Sequence, residues 1–248
     1  MTVTEAVYLS AAAMAGAALN AVAGGGSFFA FPALIFSGVP VLNANATNTV
    51  ALWPGAVSSA ISLRKNLNHP GRQLTWLMLV SVAGSVLGTA LLLKTPDELL
   101  RKLLPFLLLT ATLILVFKNS ITRFTARKPG TKSVLIIQFV IAIYGGYFGG
   151  GIGILMLATF SLMGFKDLLQ MNALKALLGG TINGVAVVLF VCMKIIYWPQ
   201  AIVMIVSAII GGMMGSWILS RINTRYLHGF IICTGLFFTI WFFCKEYL

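Results

Sequence analysis

The chain predicts an all-α integral membrane protein built from two homologous, inverted repeats, each with about four spanning helices and one short half-helix after a glycine triplet. Three observations carry this. Of 248 residues, 59% are hydrophobic and 9% charged, with a mean hydropathy of +0.97. A soluble domain has about a quarter of its residues charged, so too few charges are present to build a water-facing surface. Apolar runs long enough to approach the roughly 20 residues needed to cross a bilayer recur along the chain. The two halves also align with each other at a fixed offset of 127 residues.

Long apolar runs occupy 6–23, 44–63, 74–93, 103–117, 133–148, 176–193, 199–219 and 229–244. Two shorter runs, 27–37 and 152–163, each follow a glycine cluster. Helices of that length rise only about half a bilayer thickness and predict half-helices rather than spans. Met1–Thr4 lacks a basic region and Glu5 is acidic, so the first apolar run is expected to be retained as a membrane segment. Cys192, Cys233 and Cys244 lie in apolar runs without CxxC spacing and read as small hydrophobes, so no metal or other cofactor is expected.

Basic residues set the orientation. The linker 118–132 holds Lys118, Arg123, Arg127, Lys128 and Lys132 without an acid, and Pro129-Gly130 marks a loop. Arg64, Lys65 and Arg72 crowd the loop before the third long run. The positive-inside rule puts both on the cytoplasmic face and loop 94–102, with Asp97 and Glu98, outside. These loops account for the net charge of +12 without nucleic acid, for which no soluble basic domain exists.

The internal repeat divides the chain into a first transmembrane repeat, 1–117, the basic linker, 118–132, and a second repeat, 133–248. Asn45-Ala46 matches Asn172-Ala173, Gly84 matches Gly211, Gly88-Thr89 matches Gly215-Ser216, and Thr112 matches Thr239. Gly24-Gly25-Gly26 matches Gly149-Gly150-Gly151 at an offset of 125. Five segments per half invert the second copy, and inversion brings Arg221 and Arg225 inside. If the glycine pair made a single crossing, the copies would be parallel and those charges would change sides; charge counting favours inversion.

Unwound backbone at membrane depth must line a cavity or be buried in protein. The two glycine triplets stand where a long helix yields to a short one, and exposed N–H groups at a helix start attract anions. Ser27 is placed as an N-cap or ligand donor. The reading that competes is close helix packing through small residues. Two polar helix openings add side chains: Asn45, Thr47, Asn48 and Thr49 in the first half, Asn172 and Lys175 in the second. Spacings of three and four put Asn45, Asn48 and Thr49 on one helix face, and Asn172 and Lys175 on another. A lysine among apolar turns reads as functional, or as snorkelling to the interface. All five acids (Glu5, Asp97, Glu98, Asp167, Glu246) sit at segment ends, so no carboxylate is available mid-span for a cation. His69 and His228 read as loop or interface residues. The donor inventory suits a small anion as substrate. An anion channel shares these features; an intramembrane enzyme would need a nucleophile–base pair or metal cluster, which the sequence lacks.

With Gly24-Gly25-Gly26…Pro32, Gly38…Ala46-Thr47 and the second block Gly149-Gly150-Gly151…Gly164…Ala173, the chain resembles the TauE/SafE (TSUP) family over nearly its whole length. The resemblance implies a bacterial inner-membrane permease for sulfur-containing anions or organic acids such as sulfite, sulfoacetate or other sulfonates, working as an exporter. Leu174-Lys175 departs from the Thr-Ser type pair common in the family after the Ala. The partners implied are the small anionic substrate and the lipid bilayer, with room for a homodimer.

Overall fold

A computed structural model of the chain describes residues 1–22, 24–67, 71–124, 130–165, 167–219 and 224–247. These form ten α-helices: α1 (Val3–Val22), α2 (Ser27–Phe36), α3 (Val41–Leu63), α4 (Arg72–Lys94), α5 (Asp97–Phe124), α6 (Thr131–Tyr147), α7 (Ile152–Leu162), α8 (Leu168–Cys192), α9 (Trp198–Leu219) and α10 (Thr224–Tyr247). A single 3-10 turn, Arg64–Asn66, follows α3. No strand occurs among the described residues.

The half-helices are present: α2 has 10 residues and α7 has 11. Pro32 sits inside α2 and Pro54 inside α3. Several helices outrun the apolar runs that announced them. α5 starts at Asp97 because Asp97 and Glu98 suit a helix N-terminus and pair one turn on with Arg101 (2.9 Å) and Lys102 (2.7 Å). It also carries 118–124, which the sequence reading gave to the linker; Arg127, Lys128 and Pro129 fall outside the described residues, as do His69 and Arg221. α8 begins at Leu168, where the Asp167 carboxylate accepts from the Leu169 N–H at 2.9 Å.

Among the described residues, four helices are both long and apolar enough to cross a membrane: Val3–Val22, Arg72–Lys94, Leu168–Cys192 and Trp198–Trp217 within α9. α3 has the length, at 23 residues, but its first turns are polar and buried against other helices. α6, at 17 residues, is shorter.

The packing repeats. α1 lies along α9 as α6 lies along α4; α3 meets α9 as α8 meets α4; α3 crosses α8, and α5 packs on α10. These seams are drawn tight by small residues. A Cβ on Gly88 would strike the Ile143 carbonyl, and one on Gly215 the Ala18 carbonyl, two equivalent positions facing equivalent helices. Hydroxyls fasten the same seams: Thr89 Oγ1 donates to Gly146 O (3.1 Å) and Ser59 Oγ to Gly212 O (3.1 Å).

Side-chain contacts assign helix ends to the two ends of the bundle. At one, Tyr8 Oη meets Ser37 Oγ, the Leu42 N–H donates to Asp97 Oδ1 (3.3 Å), Asn43 Nδ2 donates to Ile195 O (2.8 Å), and Tyr247 Oη donates to Lys102 O (3.0 Å). The start of α1, the end of α2, the starts of α3 and α5 and the end of α10 therefore share it. At the other, Leu63 and Leu67 pack with Ala173 and Leu169, and Leu77 clusters with Val134, Phe160 and Met171. The pair α1–α2 is thus a hairpin entering from one end, and α6–α7 a hairpin entering from the other.

Gly88→Leu is expected to prevent close approach of α4 and α6. Overpacking of this kind costs about 1–3 kcal/mol where neighbours can yield, and a backbone carbonyl yields least. The purified variant should show a lower Tm and poorer recovery than Gly130→Leu, whose Cβ meets open space.

Candidate functional site

The hairpin tips meet in the bundle interior. After α1, Gly24 turns the chain with φ +85° and donates its N–H to Leu19 O (3.2 Å) and Asn20 O (3.1 Å). After α6, Gly149 does so with φ +78°, its N–H on Tyr144 O (3.3 Å). Positive φ is what glycine supplies here without strain. The tips then touch: a Cβ on Gly24 would lie 2.6 Å from Gly153 Cα, and one on Gly153 the same distance from Gly24 Cα.

The rest of the two triplets is spent on approach and turning. Gly26 lies against Gly16 and Asn20, and Gly151, with φ +80°, against Ala111. Gly25 is buried and accepts the Phe28 N–H at 3.2 Å. Gly150 faces the Phe148 ring and its carbonyl accepts from Tyr144 Oη at 2.9 Å. The N-cap of α2 is Gly26, so Ser27 is the first helical residue and does not cap; neither half-helix has a side-chain cap bond.

Breaking a helix in hydrocarbon leaves its last carbonyls without intrahelical donors. The openings of α3 and α8 supply them. Lys175, 4% exposed, donates its three protons to Asn20 O (2.8 Å), Ala21 O (2.9 Å) and Asn172 Oδ1 (2.7 Å). Asn172 is held in turn by Nδ2 on Leu168 O at 2.9 Å. The ammonium therefore closes the end of α1, where a helix dipole also favours positive charge. It does not snorkel. In the first half Asn45 Nδ2 donates to Tyr147 O, the last carbonyl of α6, at 3.1 Å.

Asn48 occupies the repeat position of Lys175. Its Nδ2 donates to Ser27 Oγ at 3.2 Å, and its Oδ1, fully buried, has no partner. Thr49 Oγ1 turns back onto Asn45 O (2.9 Å), whereas Thr47 Oγ1 accepts the Tyr197 N–H (3.0 Å) at the start of α9.

Between these elements lies a polar cavity with about 30 Å³ open to a water-sized sphere. A buried water needs about 10–15 Å³ on that measure, so the site holds little more than two waters in this conformation. Of the residues singled out from sequence, Ser27, Asn48, Thr49, Gly149 and Lys175 line it. Gly24, Gly25, Gly26, Asn45, Thr47, Gly150, Gly151 and Asn172 stand behind them, shaping the hairpins or orienting the lining side chains.

Asn20, Ser59, Gly153, Gly179, Gly180 and Asn183 also line the cavity. A signal for two of them was present: Gly179 and Asn183 follow Lys175 at four-residue spacing and so continue its helix face. Asn20, four residues before Gly24 on an otherwise apolar helix, carried a weaker one. The lining contains no carboxylate.

The family profile described as Sulfite exporter TauE/SafE matches residues 8–242. A probable membrane transporter protein of Haemophilus influenzae is 29% identical over 202 residues, covering 80% of this chain and 78% of the relative. Probable membrane transporter protein ORF9 of Sinorhizobium sp is 28% identical over 218 residues, 84% of this chain and 81% of the relative. Probable membrane transporter protein YfcA of Escherichia coli is 31% identical over 209 residues, 82% and 77% respectively. No solved structure matches.

Lys175→Met keeps the side chain's reach but removes the donors that close α1. Asn20 O retains the Gly24 N–H, so Ala21 O and the buried Asn172 Oδ1 are the acceptors left bare, each at about 1–3 kcal/mol. The purified variant should melt at lower temperature than the wild type, with Lys175→Arg between them. An unchanged or raised Tm would remove the ammonium from this role.

Proposed function

The chain belongs to the sulfite exporter TauE/SafE family of multi-pass membrane transporters, and on that premise we propose that it exports a small organic or sulfur-containing anion such as sulfite, sulfoacetate or another sulfonate across the bacterial inner membrane. The observation that carries the anion reading is Lys175, a buried ammonium in a polar cavity without a carboxylate beside it. A buried charge ordinarily has a counter-charge. Here carbonyls and an amide satisfy its protons, and its positive charge is left for a ligand to neutralise. The starts of α2 and α7 reach the same cavity through Ser27, Ile152 and Gly153.

The transport reading takes in the fold. Two inverted repeats, with half-helices meeting at mid-depth, supply equivalent hairpins that face opposite sides of a central site, the arrangement alternating access uses. The entry of α1–α2 and α6–α7 from opposite ends supports inversion, and so does the contact of Tyr247 with Lys102. By the basic residues Arg64 and Lys65, the end holding the close of α3 is cytoplasmic; the end holding Asp97 is outside, and the C-terminus with it. Each repeat then contributes its long helices and one half-helix, joined by the basic segment near 118–132.

Gly179 and Gly180 offer a test that separates transport from folding. Both are helical and line the cavity, and a Cβ on either meets open space. Gly179→Leu should therefore insert and melt like the wild type, because replacing helical glycine gains about 1 kcal/mol of helix propensity. In proteoliposomes the wild type should show saturable counterflow of labelled sulfite supplied at a pH where hydrogensulfite is abundant, and Gly179→Leu should lose it. Normal counterflow in that variant would place the substrate path elsewhere; conductance growing with voltage would favour a channel.

Orientation is checked separately by thiol labelling of single cysteines in a cysteine-free background. Positions 64 and 97 should report opposite faces, cytoplasmic and external, and a C-terminal tag should be reached only from outside. A tag reached only from the cytoplasm would support parallel repeats.

A further inference from the structure

The cavity's charge is unusually simple. Among the described residues lining it, Lys175 is the sole ionisable side chain. Three acceptors surround its nitrogen at 2.7–2.9 Å. A neutral amine has two protons and a lone pair, and that lone pair would face one of these oxygens, so the geometry belongs to the ammonium. The helix ends add no net charge. Each half-helix start contributes about half a positive charge, and the end of the helix before it about half a negative one. One positive charge remains.

The other lining groups are neutral. Asn20, Asn48 and Asn183 bring carboxamides from three helices, with hydroxyls of Ser27, Thr49 and Ser59 between them. The side chains of Asn20 and Asn183 make no hydrogen bond to another described residue, and Asn48 Oδ1, buried to 2% exposure, has none either. Unpaired carboxamides at membrane depth are costly unless water or a ligand meets them. They can bind several oxygens of one ligand without neutralising charge. No arginine lines the cavity to hold a second negative charge in a two-pronged grip.

We propose that this cavity selects singly charged oxyanions and rejects dianions of the same shape, with Lys175 setting the permitted charge and Asn20, Asn48 and Asn183 contacting the oxygens. This rests on the anion-transport reading and narrows it to hydrogensulfite and monosulfonates, excluding sulfoacetate and the doubly charged form of sulfite. A dianion drawn down to the buried Lys175 and Asn48 would bring one uncompensated charge to the inner wall of a small cavity, where an unpaired charge costs more than its hydrogen bonds return. The repeat supplies a way to alter the rule, because Asn48 stands where Lys175 stands in the other half.

Methanesulfonate and methylphosphonate test this directly, since they have one shape and differ in their last proton. Binding is titrated on the purified full-length protein in lipid nanodiscs, below and above the second ionisation of the phosphonate. At the lower pH both should bind with similar affinity. At the higher pH methylphosphonate should weaken at least about tenfold, or 1.4 kcal/mol, while methanesulfonate holds. Asn48→Lys should restore methylphosphonate binding at the higher pH. Equal affinities there in the wild type would overturn the charge rule and leave the transport reading standing. A parallel fall for both ligands would also overturn it, by assigning the change to ionisation of the protein. Binding of neither ligand at either pH would remove the anion site and the charge rule together, leaving the membership of a transporter family as it stands. If Asn48→Lys does not fold, the wild-type comparison decides alone.

Discussion

The ammonium of Lys175 on the last carbonyls of α1 is the contact on which the centre of this protein depends. A helix that stops inside a membrane exposes carbonyls to a medium with no water to satisfy them. Gly24 turns the chain back and returns one N–H to that end, but a turn cannot reach every carbonyl. A side chain from another part of the chain must do so, and a lysine brings three donors at once. Because Lys175 lies on α8 and the carbonyls on α1, the same bonds that permit the break also tie the second repeat to the first.

The glycines follow from that arrangement. Once two broken helices point at each other, their tips must pass at backbone distance, and only residues without a Cβ allow Gly24 and Gly153 to do so. Packing and function are therefore not competing accounts of the triplets. Gly24, Gly26 and Gly151 permit the approach; Gly149 and Ser27 reach the space that the approach encloses. The cavity exists because the tips meet without filling the region between α3 and α8.

Much of this was legible in the sequence because it rests on local chemistry. Glycine triplets mark chain breaks, short apolar runs mark half-helices, and the offset between halves shows directly as paired Asn-Ala and Gly-x-x-x-Gly. Lys175 could be placed on one face with Asn172, which it does contact, but its other two partners could not be assigned, since Asn20 and Ala21 are 155 and 154 residues away and offer backbone atoms, which carry no sequence signal. Ser27 was misplaced as a cap by a single residue, the usual scale of error at a helix end. Helix lengths were underestimated at α5 and α8 for one reason: hydropathy follows the hydrocarbon, whereas the helices continue into polar turns held by Asp97 and Asp167. Asn183 could be placed on the Lys175 face by its spacing, but that this face lines a cavity against α3 depends on packing between helices far apart in the chain.

The two hairpins also differ where it matters most. The break after α6 is held by Asn45 through one neutral hydrogen bond to Tyr147 O, supplemented by Thr89 on Gly146 O. The break after α1 is held by two bonds from a cation, and charge-assisted bonds are roughly twice as strong as neutral ones. Two hairpins of similar shape are thus tied unequally to the body of the protein. Whichever rearrangement carries a ligand through the centre, the α6–α7 tip is the less firmly fastened. Movement of the α1–α2 tip must first separate a buried ammonium from its acceptors. The firmer fastening and the charge of the cavity therefore rest on a single nitrogen atom.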